Sequence, residues 1–250
     1  MLRSTLSRFL ALCLCSASAA AAPLPEHPVK RYATDPAPSA DLFYTIQARQ
    51  SGLSLNGKAK IEWRASGRQY SINTQTEAML LGRILDAGST GAIDAFGLAP
   101  LESTEKRLRK PLASTSFDRQ GKVIRFTGSD RSYPLLGGEQ DRTSAIWQLV
   151  AVARGAPNKF KAGSHWQFFV AGQRDAQTWS FKVIGKKTID TPLGRLQAIH
   201  LRKAPPPDSK EQQLDIWLAP ARHWYPVRLR FSDADSDFIE QTLQRIERIK

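Results

Sequence analysis

The stretch LDIWLAPARHWYPVRLRF, residues 214–231, decides how the chain folds. In its second half Val227, Leu229 and Phe231 alternate with Arg228 and Arg230, the period of two by which a strand turns apolar side chains to one face and polar ones to the other. A second apolar run precedes it, and Ala219-Pro220-Ala221-Arg222 supplies turn chemistry between them. The stretch therefore predicts a half-buried antiparallel hairpin.

The same alternation recurs outward from it. Residues 41–50 (DLFYTIQARQ) set Leu42, Tyr44, Ile46 and Ala48 against polar neighbours. Residues 53–64 oppose Ala59, Ile61 and Trp63 to Lys58, Lys60 and Glu62, and residues 69–78 keep Tyr70, Ile72 and Thr74 in phase. With turns at Ser51-Gly52 and Ser66-Gly67 these segments form a meander. Residues 115–118 and 122–127 pair across Asp118-Arg119-Gln120-Gly121, while residues 165–170, 178–186, 193–201 and 238–248 add further strands. Residues 79–99 mix an apolar run with Gly82, Gly88, Gly91 and Gly97, and read as strand, loop and strand with a glycine-rich candidate for a flap or cavity rim. One helix interrupts the pattern: Ile146, Leu149, Val150 and Ala153 form an apolar stripe, Asp141 or Thr143 can cap it, and Gly155 and Pro157 stop it. The fold class is mainly β, a curved antiparallel sheet, open and barrel-like, with this helix packed against it.

The first residues carry a different signal. Arg3 and Arg8, a short apolar run over residues 9–15 and a small-residue tract over residues 17–22 have the make-up of a secretory leader cleaved near Ala21, over residues 1–21. That run is too short to span a bilayer. Cys13 and Cys15 both lie in it, each preceded by a leucine, which disfavours lipidation and leaves the exported chain without thiols for disulfides, catalysis or zinc. Residues 22–39, with Pro23, Pro25, Pro28, Pro36 and Pro38, read as an extended tether. Residues 40–250 then form one β-rich domain. At 250 residues and 41% hydrophobic content the chain can bury a sizeable core. Its net charge of +13 stays strongly positive without the leader. In an exported protein such charge suits anionic headgroups or envelope polymers; nucleic acid is not an expected partner, and no transmembrane segment is expected in the exported chain.

Motifs for chemistry are sparse. His27, His165, His200 and His223 have no metal-ligand spacing and read as packed or surface residues. There is no G-x-S-x-G elbow, and Gly137-Gly138 and the glycines of residues 88–97 fit no nucleotide loop. In the acidic turn SDADSD, residues 232–237, Asp233, Asp235, Asp237 and Glu240 suggest calcium. Counted from Asp233, however, the positions that an EF-hand gives to Gly and Glu hold Phe238 and Gln244. Asp141 and Arg142 can share a buried polar site or serve the helix cap. Trp63, Trp147, Trp166, Trp179, Trp217 and Trp224 can line a groove, but in a cysteine-free sheet protein they read first as core. No catalytic, cofactor-binding or metal-ligating residue is nominated, and no cofactor is expected.

Taken together, QDRTS (residues 140–144) opening a helix, TPLGRLQA (residues 191–198) leading into a strand, IWLAPARHWYPVRLRF (residues 216–231) before an acidic turn, and the Tyr44 and Gly57-Lys58-Ala59 segments resemble the DUF3108 family. The resemblance covers residue 41 to the C-terminus. It implies exported bacterial proteins of one β-rich domain with no established activity, similar in architecture to curved-sheet envelope proteins that bind lipids or lipoproteins. Three functions stay open. The first is non-catalytic binding or carriage of an apolar or amphipathic envelope component, with lipid, lipoprotein or an anionic polymer as partner, in the periplasm or outside the cell. The second is a hydrolase acting on an envelope polymer. The third is a structural or protein-interaction module. An apolar hollow favours the first, a polar cleft with convergent titratable groups the second, and a filled core the third.

Overall fold

The computed structural model describes residues 26–205, 212–233 and 235–249. The expected leader, its cysteines and the first residues of the expected tether lie outside these. Among the described residues the strands are β1 (Ala40–Gln50), β2 (Leu53–Ser66), β3 (Gln69–Ala78), β4 (Gly82–Asp94), β5 (Gly97–Arg107), β6 (Leu112–Asp118), β7 (Val123–Phe126), β8 (Ser129–Pro134), β9 (Gln140–Asp141), β10 (His165–Ala171), β11 (Ala176–Thr191), β12 (Gly194–Lys203), β13 (Gln213–Leu218), β14 (Pro226–Ser232) and β15 (Phe238–Arg248), and the helix α1 is Ser144–Gly155. All 15 strands join one sheet in the order β8-β7-β6-β5-β4-β3-β2-β1-β15-β14-β13-β12-β11-β10-β9. Every neighbouring pair is antiparallel except β9 with β10.

The chain starts at the centre of the sheet, winds out to β8, crosses to the far edge at β9 and winds back until β15 pairs with β1. This sheet rolls up without closing. No ladder links β8 to β9; instead Phe117, Ile124, Phe126 and Tyr133 from one wing pack with Phe169, Ala171 and Ala176 from the other in a separate small core. Thr115 Oγ1 donates to the Gly172 carbonyl at 2.8 Å, and Arg174 Nε to that of Gly128 at 2.8 Å, joining the wings by side chains.

The hairpin of residues 214–231 is present as β13 and β14, with Val227 and Leu229 buried on the inner face, Phe231 partly buried beside them, and Arg228 and Arg230 on the outer face. The glycine-rich segment differs from its expected strand-loop-strand division: β4 runs unbroken to Asp94. Gly88 and Gly91 sit inside the strand: a Cβ on Gly91 would lie 2.3 Å from the Ala99 carbonyl oxygen, and one on Gly88 would press on the Thr104 side chain at 3.0 Å. The short β8 and β9, absent from the sequence reading, complete the two edges.

Helix α1 lies inside the roll. Its stripe was expected to bury one face, but Ser144, Ala145, Trp147, Ala151 and Val152 are buried as well. Two layers enclose it. On the sheet side Trp147 stacks on Trp63 with ring centroids 4.4 Å apart. On the outer side the Asp35 N–H donates to the Ala151 carbonyl at 2.9 Å. Residues 26–39, expected as a tether, are extended as their prolines dictate, yet docked. The Trp63 Nε1–H and Tyr225 hydroxyl donate to the Ala37 and Pro38 carbonyls at 2.8 and 2.6 Å. Isolated anchors hold this strap, so no periodic pattern advertises it. No helix among the described residues is long and apolar enough to cross a membrane.

Candidate functional site

Alternate hairpin turns fall at opposite ends of the roll. One end is plugged by α1: Gln148, a buried polar residue on the helix, accepts from the Leu98 N–H at 2.8 Å and donates to the Phe96 carbonyl at 2.6 Å. It thereby clamps the β4–β5 turn. Gly97 is required there, since its φ is +98° and a Cβ would meet Gln148 at 2.4 Å.

Between the wings and the first turn of α1 the roll is hollow, with a cavity of about 470 Å³. That is the size of a small-molecule site. One wall is Ile61, Leu85 and Ala87, the other Trp179, Leu214, Leu229 and Phe231, and Ile146 and Trp147 form the helical floor. The alternation that makes these strands also makes the apolar walls, since inward residues that reach no opposing side chain line the hollow.

Polar groups sit among them at selected places. Glu105 and Arg107 on β5 form an ion pair at the rim. Lys203 is buried, its ammonium 4.9 Å from the Trp179 ring centroid. Arg142, next to the helix, is exposed and makes no ion pair among the described residues. The cavity thus offers an apolar interior and a cationic side.

Asp141 lies just behind it, buried. Its Oδ1 accepts from the Thr143 and Ser144 N–H groups, both at 2.8 Å, and its Oδ2 accepts from the Ser89 hydroxyl at 2.5 Å. Of the two expected caps it is Asp141 that caps α1; Thr143 makes no side-chain cap. Burial pushes its carboxyl above the ordinary range. Both oxygens are committed to structure, and the void beside it, about 20 Å³, has room for little more than a water.

The other groups singled out in the sequence are placed apart. His27 lies 3.0 Å from Glu139 and stacks on Phe169, His165 is exposed at the start of β10, and His223 occupies the β13–β14 turn with φ +54°. Asp233 Oδ1 accepts from the Asp235 and Asp237 N–H groups at 3.1 and 3.0 Å, which makes the acidic turn a self-bonded loop. Among the described residues no group of three or more His, Cys, Asp and Glu is placed to hold a metal ion. The tryptophans divide: Trp63, Trp147 and Trp166 are core, with Trp147 also reaching the cavity, and Trp179 lines its wall.

On the outer face His200 and Asp215 approach to 2.6 Å, while Arg202 Nε and Gln213 Nε2 donate to the same carboxylate at 2.8 and 2.6 Å. Burial acts to raise the Asp215 carboxyl, but these hydrogen bonds outweigh it and hold it below the ordinary range. A lowered folded-state value stabilises the protein above the unfolded value of about 3.9, and that contribution is lost as pH falls through the folded value. Asp215→Asn should therefore cost about 1–3 kcal/mol at neutral pH, with the difference from wild type shrinking below about pH 4. Urea denaturation of both proteins at pH 7 and pH 3 measures this, and a gap that persists in acid contradicts it.

A rolled, unclosed sheet around a helix-floored cavity defines the class of protein. The model of the protein family of unknown function DUF3108 matches residues 43–244, and the chain belongs to that family. No curated protein matches it in sequence. Solved structures similar to it include a domain named for outer membrane lipoprotein sorting from Vibrio parahaemolyticus (10% identity, 84% of this chain and 85% of that one, TM-score 0.31). Others are a DUF1329 family protein from Desulfovibrio piger (8%, 86% and 87%, 0.30) and the lipoprotein LppX from Mycobacterium tuberculosis (11%, 83% and 87%, 0.28). At such scores the likeness carries no functional argument, and function must rest on the chain's own geometry.

Proposed function

We propose that the protein is an exported, non-catalytic carrier that holds an apolar or amphipathic component of the cell envelope between the wings of its sheet. The observation that carries this reading is the cavity of about 470 Å³ with its aliphatic and tryptophan walls. An acyl chain buried there gains about 0.8 kcal/mol per CH₂ removed from water. Arg142 suits the anionic head of such a ligand, since it is accessible and has no carboxylate of its own among the described residues. The hydrolase alternative is less well supported, because Asp141 and Asp215 spend their oxygens on capping and cross-strand bonds.

The test is native mass spectrometry with lipid extraction on protein purified gently from its own envelope. A reproducible co-purifying amphiphile is expected. Ala87→Trp, which fills the hollow from one wall, should abolish it and weaken binding of a fluorescent fatty acid by at least about tenfold, with the folded circular-dichroism spectrum retained. A protein that is repeatedly empty, or a filled variant that binds as wild type does, contradicts the reading.

A further inference from the structure

The end of the roll away from Gln148 carries the β1–β2, β3–β4 and β5–β6 turns, and these expose apolar side chains that no turn geometry requires. Met79, Leu80 and Leu81 stand consecutively at the β3–β4 tip with 80%, 90% and 59% of their surface accessible. Leu53 follows the neighbouring β1–β2 turn, and Leu108 and Leu112 flank the β5–β6 turn, all three exposed. The tips are tied side by side: the Met79 N–H donates to the Asn56 carbonyl at 3.0 Å and the Leu108 N–H to that of Ile84 at 2.9 Å. Consecutive leucines in water, at a tip where Gly82 alone supplies the positive φ, are a solubility liability unless a partner covers them.

The charge around them says which partner. Arg83, Lys106, Arg107, Arg109 and Lys110 crowd the same tips. Arg83 is paired with Asp86 at 3.3 Å and Arg107 with Glu105. Lys106, Arg109 and Lys110 make no ion pair among the described residues. An apolar point with unneutralised cations on its β5–β6 side fits the interface of an anionic bilayer, where leucines enter the acyl boundary and the cations meet phosphates. The acidic β14–β15 turn, whose Asp237 accepts from the Ser51 N–H at 2.8 Å, stands on the opposite side, beyond the β1–β2 tip. A protein partner fits less well, since the exposed apolar side chains are divided among three separate turns, and a fluid bilayer can take up each tip without a matching surface.

The geometry points to these hairpin tips as a docking surface for anionic phospholipid membranes. It also sets the cavity next to the bilayer: Leu85 on the cavity wall is four positions from Leu81, and Arg107 at the rim adjoins Leu108. The inference stands on exposure and charge at the tips and does not need cargo in the cavity.

Flotation with phosphatidylglycerol–phosphatidylcholine vesicles tests it, using exported protein with the same N-terminus in every variant. Wild type should float, and Met79→Ser/Leu80→Ser/Leu81→Ser should lower affinity by at least about tenfold. Lys106→Glu/Lys110→Glu should lower it by a similar factor or more, about fivefold for each cation removed. Lys186→Glu/Lys187→Glu, exposed lysines on β11 away from the tips, should change it little. The proposal is overturned if wild type does not bind, if the serine variant binds unchanged, if the β11 variant weakens binding as much as the tip variant, or if the serine variant only dissolves a dimer in lipid-free sedimentation. Native mass spectrometry of cargo in the same variants keeps this outcome separate from that of the carrier reading.

Discussion

Leu229→Asp should unfold the protein or cost it about 3–5 kcal/mol, while Arg230→Asp, one position along the same strand, should cost about 1–2 kcal/mol. The two side chains leave opposite faces of β14. Leu229 is 3% exposed, stands between Ile216 and Gln241 on the neighbouring strands, and belongs to the main core. A carboxylate there would face Trp147 and the apolar cavity walls. It would lose the transfer energy of a leucine and add an unpaired buried charge. Arg230 is partly exposed, 3.2 Å from Glu240 and over the Phe238 ring at 4.0 Å. Reversing its charge removes those contacts and sets like charges opposite one another, where water still screens them. Urea denaturation of both variants decides the matter, and equal losses would mean that the register of the hairpin is wrong.

That register was legible in the sequence because burial on one face of a strand writes itself directly as alternation. The strand expected over residues 69–78 has those bounds in β3, and the turn at Asp118-Arg119-Gln120-Gly121 joins β6 to β7. Elements shaped by distant partners were less readable. β4 lacks alternation where Gly88 and Gly91 replace side chains, because its constraints are the β5 backbone at Gly91 and the Thr104 side chain of β5 at Gly88. The apolar stripe of α1 showed the face towards the sheet but not that the strap over Ala151 buries the other side. β9 is two residues long and pairs with β10 across the whole of α1, a length at which no periodic signal exists. The cavity follows the same division. Ile61, Trp179, Leu214, Leu229 and Phe231 lie on strands that the alternation marks, Leu85 and Ala87 on β4, which it does not, and a hollow is in any case a property of what fails to meet across the roll. Residues as far apart as Ile61 and Gln241 share it, and no motif spacing joins them.

Asp141 marks where that long-range architecture is pinned, and Asp141→Ala should cost about 2–4 kcal/mol. The substitution removes the acceptor for two helix N–H groups and for the Ser89 hydroxyl, which lies 2.9 Å from the Tyr70 hydroxyl. It therefore loosens α1, β4 and β3 together, and the cavity floor with them. Asp141→Asn should behave differently. Its amide oxygen can still cap the helix, and Ser89 can turn its hydroxyl to Tyr70, so the loss at low pH should be about 1 kcal/mol. The pH dependence then carries the sign of the burial. Because the folded carboxyl is raised, the wild type binds a proton more tightly folded than unfolded. Its stability falls as pH rises from the unfolded value of about 3.9 through the folded one. Asparagine has no such loss, so the gap between wild type and Asp141→Asn should narrow on going from pH 4 to pH 7, opposite in direction to a carboxylate held charged by its partners. Denaturation midpoints of the three proteins across that range read both effects. A gap that widens with pH would mean that the hydrogen bonds from Ser89 and the helix N–H groups outweigh desolvation, and that the helix is anchored by a charged cap.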